Sequence, residues 1–250
     1  MRNDVLEQAQ TLAANLLRLC AKRYEPCYSS FLSESEAALT SRYLESEGCR
    51  TYKLYGGYDG AQRVMLCVYP EFCEPDNDDF PFQALNLKFR GNAGLTHRDF
   101  LGSLMGLGIT RGAVGDILIS VGFATFFLRD ELVPFVTSQL EKVGKEGVSF
   151  CDKGVDIENI EQRFEERRGT IASMRLDAVV GEITGLSRQK SQQAIKSGSV
   201  AVNALAIDRT DQKIHDGDKI SVRGFGKFMI KTDGSLSKKG KTVITVVKYV

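Results

Sequence analysis

No stretch of this 250-residue chain approaches the roughly 18 to 20 consecutive apolar residues that a membrane span requires. Histidine is nearly absent, with only His97 and His215, and none of the six cysteines (Cys20, Cys27, Cys49, Cys67, Cys73, Cys151) forms a CxxC pair. A zinc site wants Cys and His clustered at short spacing, so no metal is expected. No GxxxxGK[ST] phosphate loop occurs, and Gly102, Gly106, Gly108 and Gly112 do not follow a strand in GxGxxG order. The start lacks the basic flank and apolar core of a secretion signal, and no internal repeat or low-complexity block is present. These absences point to a cytoplasmic chain with no cofactor and no small-molecule substrate.

Hydrophobic residues make up 42% and charged residues 26%, an ordinary globular composition. The net charge of +1 conceals an uneven distribution. From Arg175 onward there are fourteen Lys and Arg against seven Asp and Glu, a balance of +7 that leaves −6 for the rest. A basic tail on an acidic front suits contact with a polyanion, and a merely solvated basic surface fits the charge equally well.

Val5, Ala9, Leu12, Ala13, Leu16 and Cys20 recur at helical spacing. Ser33 with Glu36 is a capping-box pattern that opens a second helix, stopped by Gly48. Thr51–Tyr58 and Val64–Tyr69 read as strands joined by a turn at Asp59-Gly60, and the acidic, proline-bearing stretch Glu71–Pro81 reads as a loop. Next come a strand at Ala84–Phe89, a helix capped by Thr96 and Asp99, strands at Ile117–Ile119 and Ala124–Leu128, a helix through Leu132–Leu140, and a strand at Val148–Cys151. That β-α-β-β-α-β order predicts a ferredoxin-like, RRM-like plait. Cys20, Cys67 and Cys151 lie in apolar runs and read as core thiols. Between Asp152 and Thr170 charges of both signs crowd together (Glu158, Glu161, Arg163, Glu165, Glu166, Arg167, Arg168), which suits a linker or an exposed strand. The chain is therefore expected to be α+β. A helical and hairpin region spans 1–80, the plait 81–153, a charged linker or strand 154–172, and a small basic domain 173–250.

The basic domain is the most informative part. Leu176, Val179, Val180 and Ile183 form a one-sided helix that Gly185 can end. Ser187 is placed to cap a second helix, closed by Gly198. Ser191, Ala194 and Ile195 share one side of that helix, while Arg188, Gln189, Gln192, Gln193 and Lys196 spread over about 140° of the other. A face of Arg, Lys and Gln offers donors with no negative charge, as phosphates and bases require. The motifs Arg175-Leu176-Asp177, Ser187-Arg188, Gly198 to Asn203 and Gly217-Asp218-Lys219-Ile220 resemble the S-four RNA-binding domain, the αL motif of a small-subunit ribosomal protein. That resemblance implies two antiparallel helices on a small sheet, with the second helix set on structured RNA. Three positions depart from the pattern: Ser191, Gln193 and Ala204 stand where the family often has a small apolar residue, arginine and glycine.

Gly56–Arg63, Thr96–Leu104 with Gly106 and Gly108, Gly115-Asp116-Ile117, Phe135–Leu140 and Ser221–Lys227 resemble, in order, the YlmH family over nearly the whole chain. The resemblance implies a non-enzymatic RNA-binding protein of translation, linked to large ribosomal subunits bearing peptidyl-tRNA and to the cell-division gene neighbourhood. The residues expected to meet RNA are Arg175, Ser187, Arg188, Lys190, Gln192, Lys196, Asn203, Arg223 and Lys227. For Arg188 and Lys196 the alternative is a solvated helix face, with reversal of both expected to spare the melting temperature. For Asn203 it is a turn former, and Asp177 reads as a local partner of Arg175. Arg98 and Arg111 either touch RNA or face solvent. Gly56–Arg63 reads as a turn rather than a phosphate loop.

An RNA-modifying enzyme is the competing class. Yet Asp177 lies inside the RNA-binding motif rather than in a pseudouridine synthase domain, and no methyltransferase cofactor turn is found. A cell-division partner is the third class, with an apolar patch and little RNA affinity. The binding reading is preferred: a monomer that recognises structured rRNA or tRNA, with no catalytic residue, no metal and no membrane.

Overall fold

The computed structural model of the chain describes residues 2–155, 164–237 and 240–249. It folds as two compact units, Met1–Ile160 and Glu161–Val250. Among the described residues no helix is long and apolar enough to cross a membrane, and no three His, Cys, Asp or Glu side chains gather to hold a metal ion.

The first unit opens with α1 (Arg2–Arg23), β1 (Cys27–Leu32), α2 (Glu34–Ser46), β2 (Tyr52–Tyr55) and β3 (Val64–Val68). The capping box forms as the pattern predicts: Glu36 N–H donates to Ser33 Oγ at 3.4 Å, and Ser33 N–H to the Glu36 carboxylate at 2.7 Å. β3 is the middle strand of an antiparallel sheet ordered β1-β3-β2. Strand alternation sends its Leu66 and Val68 toward Ala13, Leu16 and Leu44 of the two helices, and Met65 and Cys67 to the opposite face. β1 escapes the sequence pattern because Ser29 and Ser30 interrupt its apolar residues. A register shift falls between Tyr28 and Phe31, and the buried Ser29 hydroxyl accepts the Leu66 N–H at 2.9 Å.

β4 (Phe82–Lys88), α3 (His97–Gly106), β5 (Val114–Ser120), β6 (Phe123–Arg129), α4 (Val133–Gln139), a small hairpin of β7 (Lys142–Val143) and β8 (Glu146–Gly147), and β9 (Ser149–Phe150) complete the unit. The sheet order β5-β6-β4-β9 is that of the ferredoxin-like plait, with the hairpin inserted before its last strand. Leu87, Phe126 and Leu128 face Phe100, Leu104 and Val136 of the helices. The other sheet face is covered too: Phe127 and Phe82 pack with Phe31 and Met65 of the first sheet, the Phe31 and Phe82 rings 5.0 Å apart. Of the three cysteines expected in the core, Cys20 and Cys67 are buried and Cys151 is only partly so. Its thiol reaches the Lys153 carbonyl at the end of the last strand. Cys27, on β1, is buried as well.

Gly56–Arg63 is a latched turn. Asp116, on β5, accepts the Tyr58 hydroxyl at 2.8 Å, the Gln62 N–H at 2.6 Å and the Arg63 N–H at 3.1 Å. Arg63 in turn donates to the carbonyls of Val114 and Phe31. Gly57, at φ +99°, lies so close to the Phe127 ring that a Cβ would stand 2.1 Å from it. Both the backbone sign and the space demand glycine there.

The second unit contains β10 (Phe164–Ile171), α5 (Leu176–Thr184), α6 (Arg188–Lys196), β11 (Val200–Val202), β12 (Leu205–Ala206), β13 (Lys219–Val222), β14 (Gly226–Lys231) and β15 (Thr242–Tyr249). Its antiparallel sheet is ordered β10-β15-β14-β13-β11-β12. Val179, Val180, Ile183 and Ile195 of the helices bury against Val200, Ile220, Phe228, Ile230, Ile244 and Val246. The expected boundary at 173 comes too late. β10 pairs with β15 over eight residues, from Phe164↔Tyr249 to Ile171↔Thr242, so the charged stretch over these residues is a strand of this sheet. Of the two readings of that stretch, the exposed strand holds for Phe164–Ile171, where an edge strand with one wet face needs few apolar residues. Glu158, Glu161 and Arg163 lie outside the described residues.

Asn203 and Ala204 form the turn from β11 to β12 with φ of +48° and +65°. An L side chain at such φ costs about 1 to 2 kcal/mol, and glycine gives back roughly 0.5 to 1 kcal/mol through its freer unfolded chain. Ala204→Gly is therefore expected to stabilise this unit by about 0.5 to 1 kcal/mol, read as a higher melting temperature.

Candidate nucleic-acid interface

The interface is built around α5 and α6. The first amides of α5 are taken by backbone carbonyls, Leu176 N–H by Gln212 at 2.8 Å and Asp177 N–H by Thr210 at 3.0 Å. α6 starts at Ser187, whose Oγ accepts the Lys190 N–H at 3.4 Å. The Ser187 carbonyl accepts the hydroxyl of the fully buried Ser191 at 3.1 Å. Ser191 thus replaces the usual small apolar residue without leaving a buried hydroxyl unsatisfied.

Asp177 is the hub of this end of the unit. It is 2% exposed. Arg175 Nε and Nη2 donate to its two oxygens at 3.1 and 3.3 Å, Gln192 Nε2 donates at 3.0 Å, and Arg188 Nε lies 3.5 Å away. Burial pushes its carboxyl up, but Arg175, Gln192 and the Arg188 charge outweigh burial and hold it below the usual carboxylate range. The acid therefore serves the protein's own donors, the structural role expected of it.

The candidate residues separate accordingly. Gln192 is committed to Asp177 and lies partly buried. Asn203 is a clasp: its Oδ1 accepts the Lys219 N–H at 2.9 Å and its Nδ2 donates to Asp218 at 2.8 Å. Arg175 and Arg188 share Asp177 but keep exposed guanidinium surface, 42% and 76% of the side chain. The pair alters one expectation. Reversing Arg188 would set a carboxylate beside the buried Asp177, so the melting temperature would fall with it.

Lys190 and Lys196 are exposed toward the two ends of α6, with exposed Gln189 before Lys190 and exposed Gln193 between the lysines, and the helix carries no acid. At its C-terminal end the Ser199 carbonyl accepts the Arg223 N–H at 2.9 Å, joining the β13–β14 hairpin to the loop after α6. Arg223 is exposed, and the Lys227 ammonium sits 5.6 Å from the centre of the Tyr249 ring. The hairpin tip also carries Phe225, 41% exposed. The sequence alone does not single it out, because a lone aromatic between glycines reads as a turn residue.

The first unit contributes less. Arg111 turns inward, donating to the carbonyls of Val114 at 2.6 Å and Gly115 at 3.2 Å. Burial and the neighbouring Arg63 hold it down to about 10. Arg98 stays exposed on α3. RNA-binding plaits of the RRM type stack bases on sheet aromatics, but here Phe82 and Phe127 pack against the first sheet.

A family profile described as "Putative RNA-binding domain in YlmH" matches residues 75–156, the plait. A Bacillus subtilis protein named "Ribosome-associated protein quality control protein P2" is 32% identical over 91% of this chain and 89% of its own length. The solved structure titled "Cell division protein ylmH from Streptococcus pneumoniae" aligns with a TM-score of 0.52 at 21% identity. That alignment covers 59% of this chain and 90% of that one, a likeness of fold alone. With the plait matched and nine-tenths of the chain aligned to a curated relative at this identity, the protein belongs to the YlmH family.

Proposed function

We propose that this is a non-enzymatic RNA-binding protein of the ribosome. It works as a monomer in the cytoplasm and recognises structured rRNA or tRNA on a large subunit that carries peptidyl-tRNA. The observation that carries the reading is the acid-free donor face of α6, with Arg188 and Lys190 at its start and Lys196 at its end, in a segment of net charge +7. Phosphates meet exposed cations and helix N-terminal amides there, and Arg175 and Arg223 extend the cationic surface beyond each end. The Bacillus subtilis relative's name supports the ribosomal setting and the cytoplasmic location. Asp177 is buried and held by Arg175, Gln192 and Arg188, which favours a structural role for this acid over chemistry.

Counterion release supplies the test. If four to six phosphates are neutralised, the affinity of the full chain for ribosomal RNA should fall with salt at a log–log slope of roughly −3 to −5, at ~0.7 to 0.9 per phosphate. A filter-binding series at several salt concentrations measures it. A flat response would remove the electrostatic basis of the reading.

A further inference from the structure

We propose that Phe225 stacks on an unpaired nucleobase of the bound RNA, while Arg223 and Lys196 hold the phosphates on either side of that base. The inference rests on the RNA-binding reading above and adds to it a contact that the charges alone do not supply.

The tip of the β13–β14 hairpin is built to present one ring. Val222 pairs with Gly226, and the Phe225 N–H closes the turn onto the Val222 carbonyl at 3.0 Å. Gly224 sits at φ +84°, where no L side chain fits at low cost and where a Cβ would meet no neighbour within 4 Å. The ring is thus raised on a short, hydrogen-bonded turn with open space beside it. Phe225 is 41% exposed, whereas Phe228, three residues on, is 3% exposed and lies in the core.

The surroundings select the partner. The turn holds no acid, and Arg223 precedes the ring while Lys227 follows it. The Arg223–Ser199 hydrogen bond brings this tip to the loop that follows Lys196. An apolar protein patch would gain little from such a cationic rim. A nucleobase brings a flat π-face flanked by phosphates, and stacking on an aromatic side chain contributes about 1 to 3 kcal/mol per base. Single-stranded loops and bulges offer such bases, while a closed duplex does not.

The chain contains no tryptophan, so Phe225→Trp places a single tryptophan, excited selectively over the tyrosines, at the proposed contact. The full-length protein should be titrated with a synthetic stem-loop RNA bearing an unpaired purine-rich loop, and with the same stem as a blunt duplex. We expect the Trp emission to be quenched by the stem-loop and much less by the duplex. Phe225→Ala and Phe225→Leu should each weaken stem-loop binding about tenfold, ~1.4 kcal/mol. Phe225→Tyr and Phe225→Trp should stay near wild type. Phe225→Ala should keep the salt slope of wild type, since no phosphate contact is lost, whereas Lys196→Gln should reduce that slope by roughly one. Stacking is overturned if the Trp emission ignores the stem-loop, if both RNAs quench it equally, or if Phe225→Leu binds as wild type. In each case wild-type binding with its salt slope would leave the RNA reading standing. If wild type binds neither RNA, both fall together.

Discussion

Asp177→Ala is expected to lower the stability of the C-terminal unit by about 3 kcal/mol, the largest effect of any single change in the interface. The carboxylate is 2% exposed and collects donors from Arg175, Gln192 and the Ala178 N–H at 3.0 Å. Hydrogen bonds to a charged group contribute about 1.5 to 3 kcal/mol each. Solvent reaches both arginines, so the loss stays well below the sum of its parts. For a unit of this size the change corresponds to a melting temperature lower by more than about 10 °C. Thermal unfolding of the full chain, followed at the C-terminal unit, measures it. RNA affinity should fall as well, because Arg175 and Arg188 lose the group that orients them. A variant with unchanged stability would show that the buried cluster is not a structural hub. The pH dependence has a definite sign. The folded carboxyl lies below its unfolded value near 3.9, so its stabilisation is complete above about pH 4 and is lost as the pH falls through the folded value. Asp177→Asn should lack this acid-sensitive share.

Lys190→Glu together with Lys196→Glu should lower RNA affinity by ten- to a hundredfold, ~1.4 to 2.8 kcal/mol, with the melting temperature moving by no more than about 2 °C. Both side chains are exposed, and neither lies on the side of α6 defined by Ser191 and Ile195. The helix dipole partly offsets the two changes: a glutamate in the first turn is favourable and one in the last turn is unfavourable, each by about 0.3 to 1 kcal/mol. Arg188→Glu is the informative contrast. It should weaken binding and also destabilise the fold, since the new carboxylate would face Asp177 in place of the guanidinium 3.5 Å away. RNA binding measured beside thermal unfolding separates the three positions. Wild-type affinity in the double lysine variant would return α6 to a solvated face.

The elements that could be read from the sequence are those whose signal is local. The capping residues Ser33 and Ser187 sit beside the helices they start, and the apolar spacing of α5 recurs within three turns. The plait follows the same rule, because the apolar residues of β4, β5 and β6 lie in short runs and pack with those of α3 and α4. The charge split and the donor face of α6 need only residue identity and a helical period. The tertiary structure decided whatever depends on residues far apart in sequence. It made a strand of Phe164–Ile171 by pairing it with β15, over seventy residues away, and it laid the first sheet over the aromatic face of the plait. It also divided the equivalent-looking polar residues into those held within the protein, such as Gln192 and Asn203, and those left toward solvent, such as Lys190, Lys196 and Arg223. The strand pairing and the fate of the polar side chains share one physical reason. Whether a donor is spent inside the protein or offered to a partner depends on which distant acceptor folding brings within about 3 Å, and no local pattern records that distance.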